Sequence, residues 1–229
     1  MTRQVFTMAG ILAALASAKT GPTFYTPERV AIARDNIARY PWAQEVRRRI
    51  FETGDPISYY IGPTYTAADV FAAQTDEFIW QLQPPTTIPR VVFPHESVAL
   101  CPVHGDAVRK VSVWCPWRID PVGHPYQVQC PVGKEWYPSN AYHRGDVSSG
   151  PFPDDGSGCL YNGTRYFFLR EYAHMVYGSV VIPTLRSLSQ AYQLSGDPRY
   201  ARQGCILLAR LALEYPNYGW DAADAGLEN

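Results

Sequence analysis

The sequence predicts an all-α fold of helical hairpins, interrupted by an irregular insert that contains cysteines. Apolar residues recur at spacings of three and four near both ends of the chain, which is the period of a helix with one buried face. Ser195-Gly196-Asp197-Pro198 joins two such stretches with a helix stop and a helix start, as in an antiparallel helical hairpin. We divide the chain into a leader (1–18), an N-terminal helical region (19–94), an irregular insert (95–158) and a hairpin region (159–229).

The leader has the pattern of a secretory signal peptide. Arg3 precedes the apolar residues 5–15, and Ala16-Ser17-Ala18 matches a small-residue cleavage site. The alternative is a buried N-terminal helix. The apolar stretch is shorter than the roughly 20 residues that span a bilayer, and no later stretch approaches that length, so we expect no membrane span. The mature protein would be secreted or periplasmic, in a compartment that permits disulfides.

Start and stop signals predict three helices in the N-terminal helical region. Thr26-Pro27-Glu28 offers an N-cap, a proline at the first helical position and an acid at the positive end of the helix dipole. Pro41 ends or kinks this helix, and a second helix should stop near Gly54. A third should run from Thr66 to Pro84-Pro85.

The irregular insert contains candidate metal ligands. Cys101 and His104 have a spacing at which two side chains can turn onto one zinc ion, and Cys115 and Cys130 would complete a set of four. The repeat is imperfect, because Gly133 stands where a second pair would place its other ligand. A structural zinc ion is therefore the candidate cofactor.

The cysteines allow two other interpretations. An oxidising compartment favours a disulfide among Cys101, Cys115, Cys130 and Cys159. Free buried thiols are the remaining interpretation, and Cys205, which lies in a predicted helix, fits it. Because the chain has five cysteines, at least one must be unpaired, bound to metal or partnered elsewhere.

The hairpin region returns to a helical period, first over residues 168–175 and then over residues 181–192. Pro183 lies inside this pattern, so we expect it to kink the helix or to mark a break near Gly178. The second helix of the hairpin begins at Asp197-Pro198 and stops at Pro216. Only a polar tail follows, which would leave apolar helix faces uncovered. We therefore expect that further hairpins follow in a longer natural protein.

The overall charge excludes one class of partner, and the balance of residue types suits another. The chain has 20 Lys and Arg against 21 Asp and Glu, a net charge of -1 that gives no bulk attraction to nucleic acid. Among the basic residues only three are lysines, and the chain has 16 Tyr and 6 Trp. Arginine forks and aromatic faces suit carboxylated or sulfated sugars. A compositional bias of the genome would give the same excess.

Four motifs together carry a resemblance to a known family. They are Phe24-Tyr25-Thr26-Pro27-Glu28-Arg29, Cys101-Pro102-Val103-His104-Gly105, Cys130-Pro131-Val132-Gly133-Lys134-Glu135-Trp136-Tyr137-Pro138-Ser139-Asn140 and Tyr192-Gln193-Leu194-Ser195-Gly196-Asp197-Pro198-Arg199-Tyr200-Ala201. With them, residues 24–215 resemble the N-terminal part of heparinase II/III-like proteins, which are polysaccharide lyases and their relatives. The hairpin motif is shared by many α/α toroids, whereas the two Cys-Pro-Val segments are more specific.

The resemblance implies a fold and an activity. The fold is an incomplete (α/α) toroid followed by a β-sandwich domain, of which this chain would hold only the start of the toroid. The activity is β-elimination next to a uronic acid in an acidic polysaccharide, which needs a base, a group that neutralises the carboxylate and an acid. In the family those groups lie beyond the matched segment, so no catalytic residue is transferred. The alternative function is a non-catalytic carbohydrate-binding or structural helical domain.

One group of candidate site residues lies on the predicted helix after residue 168. Arg170 and His174 share a face, so together they could meet a carboxylate, with Tyr172 alongside. Tyr172 and His174 are thus candidate catalytic residues, and Arg170 is a candidate substrate-binding residue. The alternative is that these side chains pack in the helical wall with satisfied hydrogen bonds.

A second group of candidates lies in the irregular insert. Loops often carry binding residues, and Trp136 or Tyr137 could stack on a sugar ring near Asn140. His143 follows them in the sequence and is the third catalytic candidate. The alternative is a solvated loop without a ligand.

Overall fold

The computed structural model describes residues 24–54, 66–88, 101–111 and 116–217. The α-helices there are α1 (Pro27–Arg39), α2 (Pro41–Arg48), α3 (Ala68–Ala72), α4 (Asp76–Leu82), α5 (Phe168–Val176), α6 (Ile182–Ser195) and α7 (Pro198–Glu214). The strands are β1 (Arg118–Asp120), β2 (His124–Gln129), β3 (Trp136–Tyr137), β4 (Cys159–Tyr161) and β5 (Thr164–Tyr166). One antiparallel sheet has the order β1-β2-β3, and β4 pairs with β5 in a second.

This architecture corrects the fold class expected from the sequence. The all-α prediction is wrong because of the two sheets, and the helices do not form a clear toroid of hairpins. Strands of two to six residues are too short to reveal a period of two. The β4–β5 turn has a local cause, since Asn162 and Gly163 adopt positive φ angles of 49° and 77° that suit a tight hairpin.

The first two helices begin and end where the sequence predicts. The Oγ1 atom of Thr26 accepts a hydrogen bond from the N–H of Arg29 at 3.4 Å and caps α1. Pro41 separates α1 from α2. A π-helical turn (Arg49–Thr53) then extends α2 and ends at Gly54, whose φ of 68° suits a residue without a side chain.

The predicted helix from Thr66 to Pro84-Pro85 is divided into α3 and α4. Between them the Oγ1 atom of Thr75 accepts a hydrogen bond from the N–H of Phe78 at 3.2 Å and caps α4. A threonine side chain that bonds the backbone offers an alternative to continued helix, which explains the division.

The α6–α7 pair is the helical hairpin that the sequence predicts. Gly196 ends α6 in the left-handed conformation, and the side chain of Asp197 accepts the N–H of Arg199 at 2.9 Å to cap α7. Before α6, a π-helical turn (Tyr177–Val181) follows α5, and Pro183 lies in the first turn of α6. Val181 and Ile182 keep right-handed helical conformations, so the π-helical turn near Gly178 leaves the helix continuous and the expected break does not occur.

One hydrophobic core joins the sheet to the helices. The ring of Phe168, at the start of α5, packs edge-on against Trp117 at 5.9 Å and stacks on Tyr137 at 4.8 Å. On the other side, the hydroxyl of Tyr200 in α7 donates to Asp69 in α3 at 2.6 Å. None of the helices in the described part of the chain is long and apolar enough to span a membrane.

Candidate metal centre

Two tight turns place sulfur and nitrogen ligands at the edge of the three-stranded sheet. In the first, the N–H of Gly105 donates to the carbonyl of Cys101 at 3.0 Å, so residues 101–105 curl back on themselves. In the second, which links β2 to β3, the N–H of Lys134 donates to the carbonyl of Cys130 at 3.0 Å. Both turns begin with Cys-Pro-Val, and the structure brings their cysteines together.

The three ligand atoms form a compact cluster. The Nδ1 atom of His104 lies 3.6 Å from the Sγ of Cys101 and 3.6 Å from the Sγ of Cys130. All three atoms lie within 4.8 Å of one another, so these side chains could hold a metal ion. Both cysteines are buried and the histidine is half-buried. Cys115 falls outside the described residues, so its part in the predicted set stays a prediction.

Backbone N–H groups donate hydrogen bonds to the sulfur atoms of both cysteines. The backbone N–H of His104 donates to the Sγ of Cys101 at 3.4 Å. Burial raises the pKa of the Cys130 thiol, and the backbone N–H groups of Val132 and Gly133 oppose this by donating to its sulfur. A metal that binds here must therefore displace a proton from the Cys130 thiol, which makes binding depend on pH.

A carboxylate lies against the cluster. The Oε2 atom of Glu135 is 3.7 Å from the Nδ1 of His104. This oxygen is buried and accepts no hydrogen bond from the described residues, although the side chain as a whole is 41% exposed. A Cβ atom added to Gly133 would overlap the Glu135 carboxylate and the His104 ring. The carboxylate thus fills the space that a side chain at position 133 would need.

The other described cysteines are not part of the cluster. Cys101, Cys130, Cys159 and Cys205 are all free thiols in the structure. Cys159 is buried in β4, whereas Cys205 is exposed on α7, so the expected burial of Cys205 is wrong. The position of Cys205 on the outer face of its helix explains the difference, since the helical period buries Leu207 instead.

The candidates on α5 occupy different environments. Tyr172 is buried and its ring stacks on Tyr126 at 5.3 Å; burial raises its pKa. The Arg170 guanidinium lies 4.5 Å from the centre of the Phe167 ring. His174 is half-buried. Within this helix, Tyr172 is a core residue of the described structure, whereas the two basic residues lie nearer the surface.

The insert candidates also lie in packed positions. Trp136 stacks on His124, with ring centres 3.9 Å apart and an interplanar angle of 8°. Tyr137 is buried in the core, and burial raises its pKa. The pKa of His143 is lowered by its burial and by the positive charge of Arg144. The side chains of His143 and Tyr172 line the same cavity. Its volume of about 40 Å³ is too small for a sugar ring.

Asn140 holds the irregular insert together. Its amide NH₂ donates to the carbonyls of Asp146 at 2.7 Å and Asp154 at 3.0 Å, and its Oδ1 accepts the N–H of Asp154 at 2.8 Å. Asp154 is buried too, and its carboxylate accepts the backbone N–H of Leu169 at 3.1 Å in the first turn of α5. Neither Asp154 nor Glu135 stands out in the sequence, because no repeat or spacing marks them.

A groove lies apart from the metal cluster, between α1, α2 and α6. Its volume is about 340 Å³. Its lining is mostly apolar and includes aliphatic side chains of all three helices. Aromatic, basic and amide side chains also line it, including Tyr25, Arg29, Trp42, Arg47 and Gln190. Trp42 is 61% exposed and stacks on Tyr40 at 6.2 Å. These are the side-chain types that contact sugar rings, carboxylates and hydroxyls.

Comparisons of the chain with protein-family models, with curated proteins and with solved structures find no match.

Proposed function

We propose that this chain is a zinc-binding protein in which Cys101, His104 and Cys130 hold a structural ion. The observation that carries the proposal is the convergence of three ligand atoms, from two separate turns, within 4.8 Å. Thiolates and imidazole are the ligands of structural zinc sites, whereas magnesium and calcium prefer oxygen. A donor set of two sulfurs and one nitrogen therefore favours zinc.

The ion would stabilise a region that has little regular structure. The first turn leads into a short 3₁₀ helix (Gly105–Lys110), and the second joins strands of six and two residues. Elements this short bury little apolar surface of their own, so a cross-link between the turns supplies stability that the local structure lacks. The role is structural because the two cysteines are buried within the fold.

Metal analysis of the purified protein tests this proposal. We expect close to one zinc ion per chain, and we expect Cys130→Ser to lose it. Cys205→Ser is the matched control, since Cys205 is exposed on α7, and it should keep the ion. A wild-type protein without zinc whose Cys101 and Cys130 resist thiol reagents until reduction would instead show a disulfide and contradict the proposal.

We further propose that this zinc-containing chain belongs to an exported, polysaccharide lyase-like protein that acts on an acidic polysaccharide by β-elimination. Two observations support this second function. The motifs that resemble heparinase II/III-like proteins include both Cys-Pro-Val turns and the α6–α7 hairpin. The groove beside α1 also carries aromatic faces, guanidinium groups and amides, which match the ring surfaces, carboxylates and hydroxyls of uronic-acid sugars.

Incubation with alginate, heparan sulfate, hyaluronan and pectin tests the second function. We expect the absorbance of unsaturated uronic products to rise with one of these polysaccharides. If the protein binds one of these polysaccharides but the absorbance does not rise, the result would favour the other class, a non-catalytic carbohydrate-binding domain. Neither products nor retention with any of the four would contradict both forms of the proposal.

A further inference from the structure

Within the described part of the chain the cluster offers three candidate ligands, and a structural zinc site needs four. Cys101-x-x-His104 supplies two of them, but the matching turn supplies only Cys130, because position 133 is a glycine. A tetrahedral zinc ion would therefore need one ligand beyond these three. The identity of the fourth ligand determines the donor set, the net charge and the metal preference of the site.

We propose that the carboxylate of Glu135 is the fourth ligand, so that the site is Cys₂HisGlu. This inference rests on the proposed zinc function. Its first support is position: the Oε2 atom of Glu135 lies 3.7 Å from the Nδ1 of His104, one of the three clustered ligand atoms. Glu135 precedes β3 and its backbone carbonyl accepts the N–H of Cys130 at 2.9 Å, which fixes the residue against the ligand turn.

The second support is an unsatisfied atom. The Oε2 of Glu135 is buried but accepts no hydrogen bond within the described residues. A buried carboxylate oxygen without a donor is costly, and a metal ion in the adjacent cluster would satisfy it. The Nζ of its neighbour Lys134 donates to the carbonyl of Pro131 at 2.7 Å.

The third support is that a side chain at position 133 and the Glu135 carboxylate cannot occupy the same space. A Cβ atom at Gly133 would overlap both oxygens of the Glu135 carboxylate and the ring of His104. Glu135 therefore occupies the place from which a ligand at position 133 would reach the ion. A carboxylate two residues further along the turn replaces the ligand that the imperfect repeat lacks.

Cobalt substitution tests the fourth ligand directly. With Co²⁺ in place of zinc, we expect the wild-type chain to show a charge-transfer band for two thiolates and the visible bands of a tetrahedral ion. Glu135→Gln should shift the visible bands and weaken Zn²⁺ binding at least about tenfold in competition with a chelating dye. Asp106→Asn, which removes one exposed negative charge near the same turn, should change neither.

A second substitution keeps the test informative if Glu135→Gln folds poorly. Glu135→Cys places a thiol at the same position, so it should keep zinc and raise the charge-transfer intensity to the level of three thiolates. Glu135→Ala offers no ligand and should bind zinc more weakly than the wild type and Glu135→Cys. A charge-transfer intensity in Glu135→Cys that stays at the level of two thiolates contradicts the proposal.

The outcomes separate this inference from the zinc proposal itself. If wild-type protein gives no thiolate charge-transfer band, both fail. If the band is present but Glu135→Gln leaves affinity and spectrum unchanged, only the fourth ligand is wrong. Cys115→Ser should preserve the wild-type band, and a loss of about one third of its intensity would show a third thiolate in the place given to Glu135.

Discussion

The Nδ1 atom of His104 lies 3.6 Å from the Sγ of Cys130, although 26 residues separate them in the chain. This contact joins a turn that precedes a 3₁₀ helix to the turn between β2 and β3. Both parts also contribute buried residues to one hydrophobic core, and a metal bound by the cluster would cross-link them. The stability of the insert should therefore follow the metal.

Removal of zinc should lower the melting temperature of the protein. An ion present at about a thousand times its dissociation constant stabilises the folded state by about 4 kcal/mol. A chain of this size shifts its melting temperature by about 2–4 °C per kcal/mol, so a chelator should lower it by about 8–16 °C. Scanning calorimetry with and without a chelator measures this shift, which added zinc should reverse.

Cys130→Ser should melt at the temperature of the chelated wild type and should not respond to added zinc. Cys205→Ser should behave as the wild type does. If a chelator shifts all three proteins equally, the ion that it removes is bound elsewhere, and the cluster is not the zinc site.

The sequence predicts the helix boundaries well because their causes are local. The Thr26 cap, the break at Pro41 and the left-handed Gly196 each depend on one residue and its nearest neighbours. The pairing of Cys101 with His104 is also local, since they are three positions apart in the chain and the Sγ and Nδ1 atoms lie 3.6 Å apart. These features need no knowledge of the rest of the fold.

The remaining features depend on contacts between distant residues. The two-residue strand β3 exists because it pairs with β2, not because of its own pattern. Tyr172 of α5 is buried against Tyr126 of β2. This contact between distant residues makes Tyr172, a catalytic candidate from the sequence, part of the core. Glu135 lies 3.7 Å from His104 only because the two Cys-Pro-Val turns meet in space. No spacing in the sequence encodes such meetings.

Asp154 should be among the most destabilising positions for substitution in the insert. Its buried carboxylate accepts backbone N–H groups from Gly156 at 2.8 Å, Gly158 at 3.0 Å and Leu169 at 3.1 Å. Asp154→Ala leaves these donors without an acceptor, at a cost of about 3 kcal/mol or more in the free energy of unfolding. Urea unfolding measures this cost.

The adjacent residue provides the control for Asp154. Asp155 is exposed, and its carboxylate bonds only Ser157 among the described residues. Asp155→Ala should therefore cost less than about 1 kcal/mol. Equal costs at the two positions would show that the buried network does not hold the insert to α5.

Glu171 should make the protein less stable as the pH rises. The side chain is buried on α5, and burial raises its pKa to about 7. In the unfolded chain the carboxyl ionises near its ordinary value of 4.5. Because the folded state holds the proton more tightly, its full stability is present below about pH 4.5 and is lost as the pH rises to about 7.

Glu171→Gln should remove this pH dependence. At pH 8 the variant should be more stable than the wild type by on the order of 3 kcal/mol, and at pH 4.5 the two should be nearly equal. Glu77→Gln, on the exposed face of α4, is the control and should change stability little at either pH. Chemical unfolding at both pH values tests the prediction, which a constant difference between wild type and Glu171→Gln would contradict.

Trp42 should contribute to binding of an acidic polysaccharide in the groove between α1, α2 and α6. Its exposed indole offers a face for a sugar ring, and Arg29 and Arg47 line the same groove. Loss of one stacking face costs about 0.5–1.5 kcal/mol, so Trp42→Ala should weaken binding about 2- to 10-fold in affinity electrophoresis.

A second exposed tryptophan supplies the control for Trp42. Trp80 lies on α4, outside this groove, with the Arg210 guanidinium 5.3 Å from its ring centre. Trp80→Ala should leave retention unchanged, because its ring does not line the groove. Retention of the wild type should also fall with added salt, since salt screens the attraction between arginine and the polysaccharide carboxylates. Equal losses in both tryptophan variants would place polysaccharide binding outside the groove.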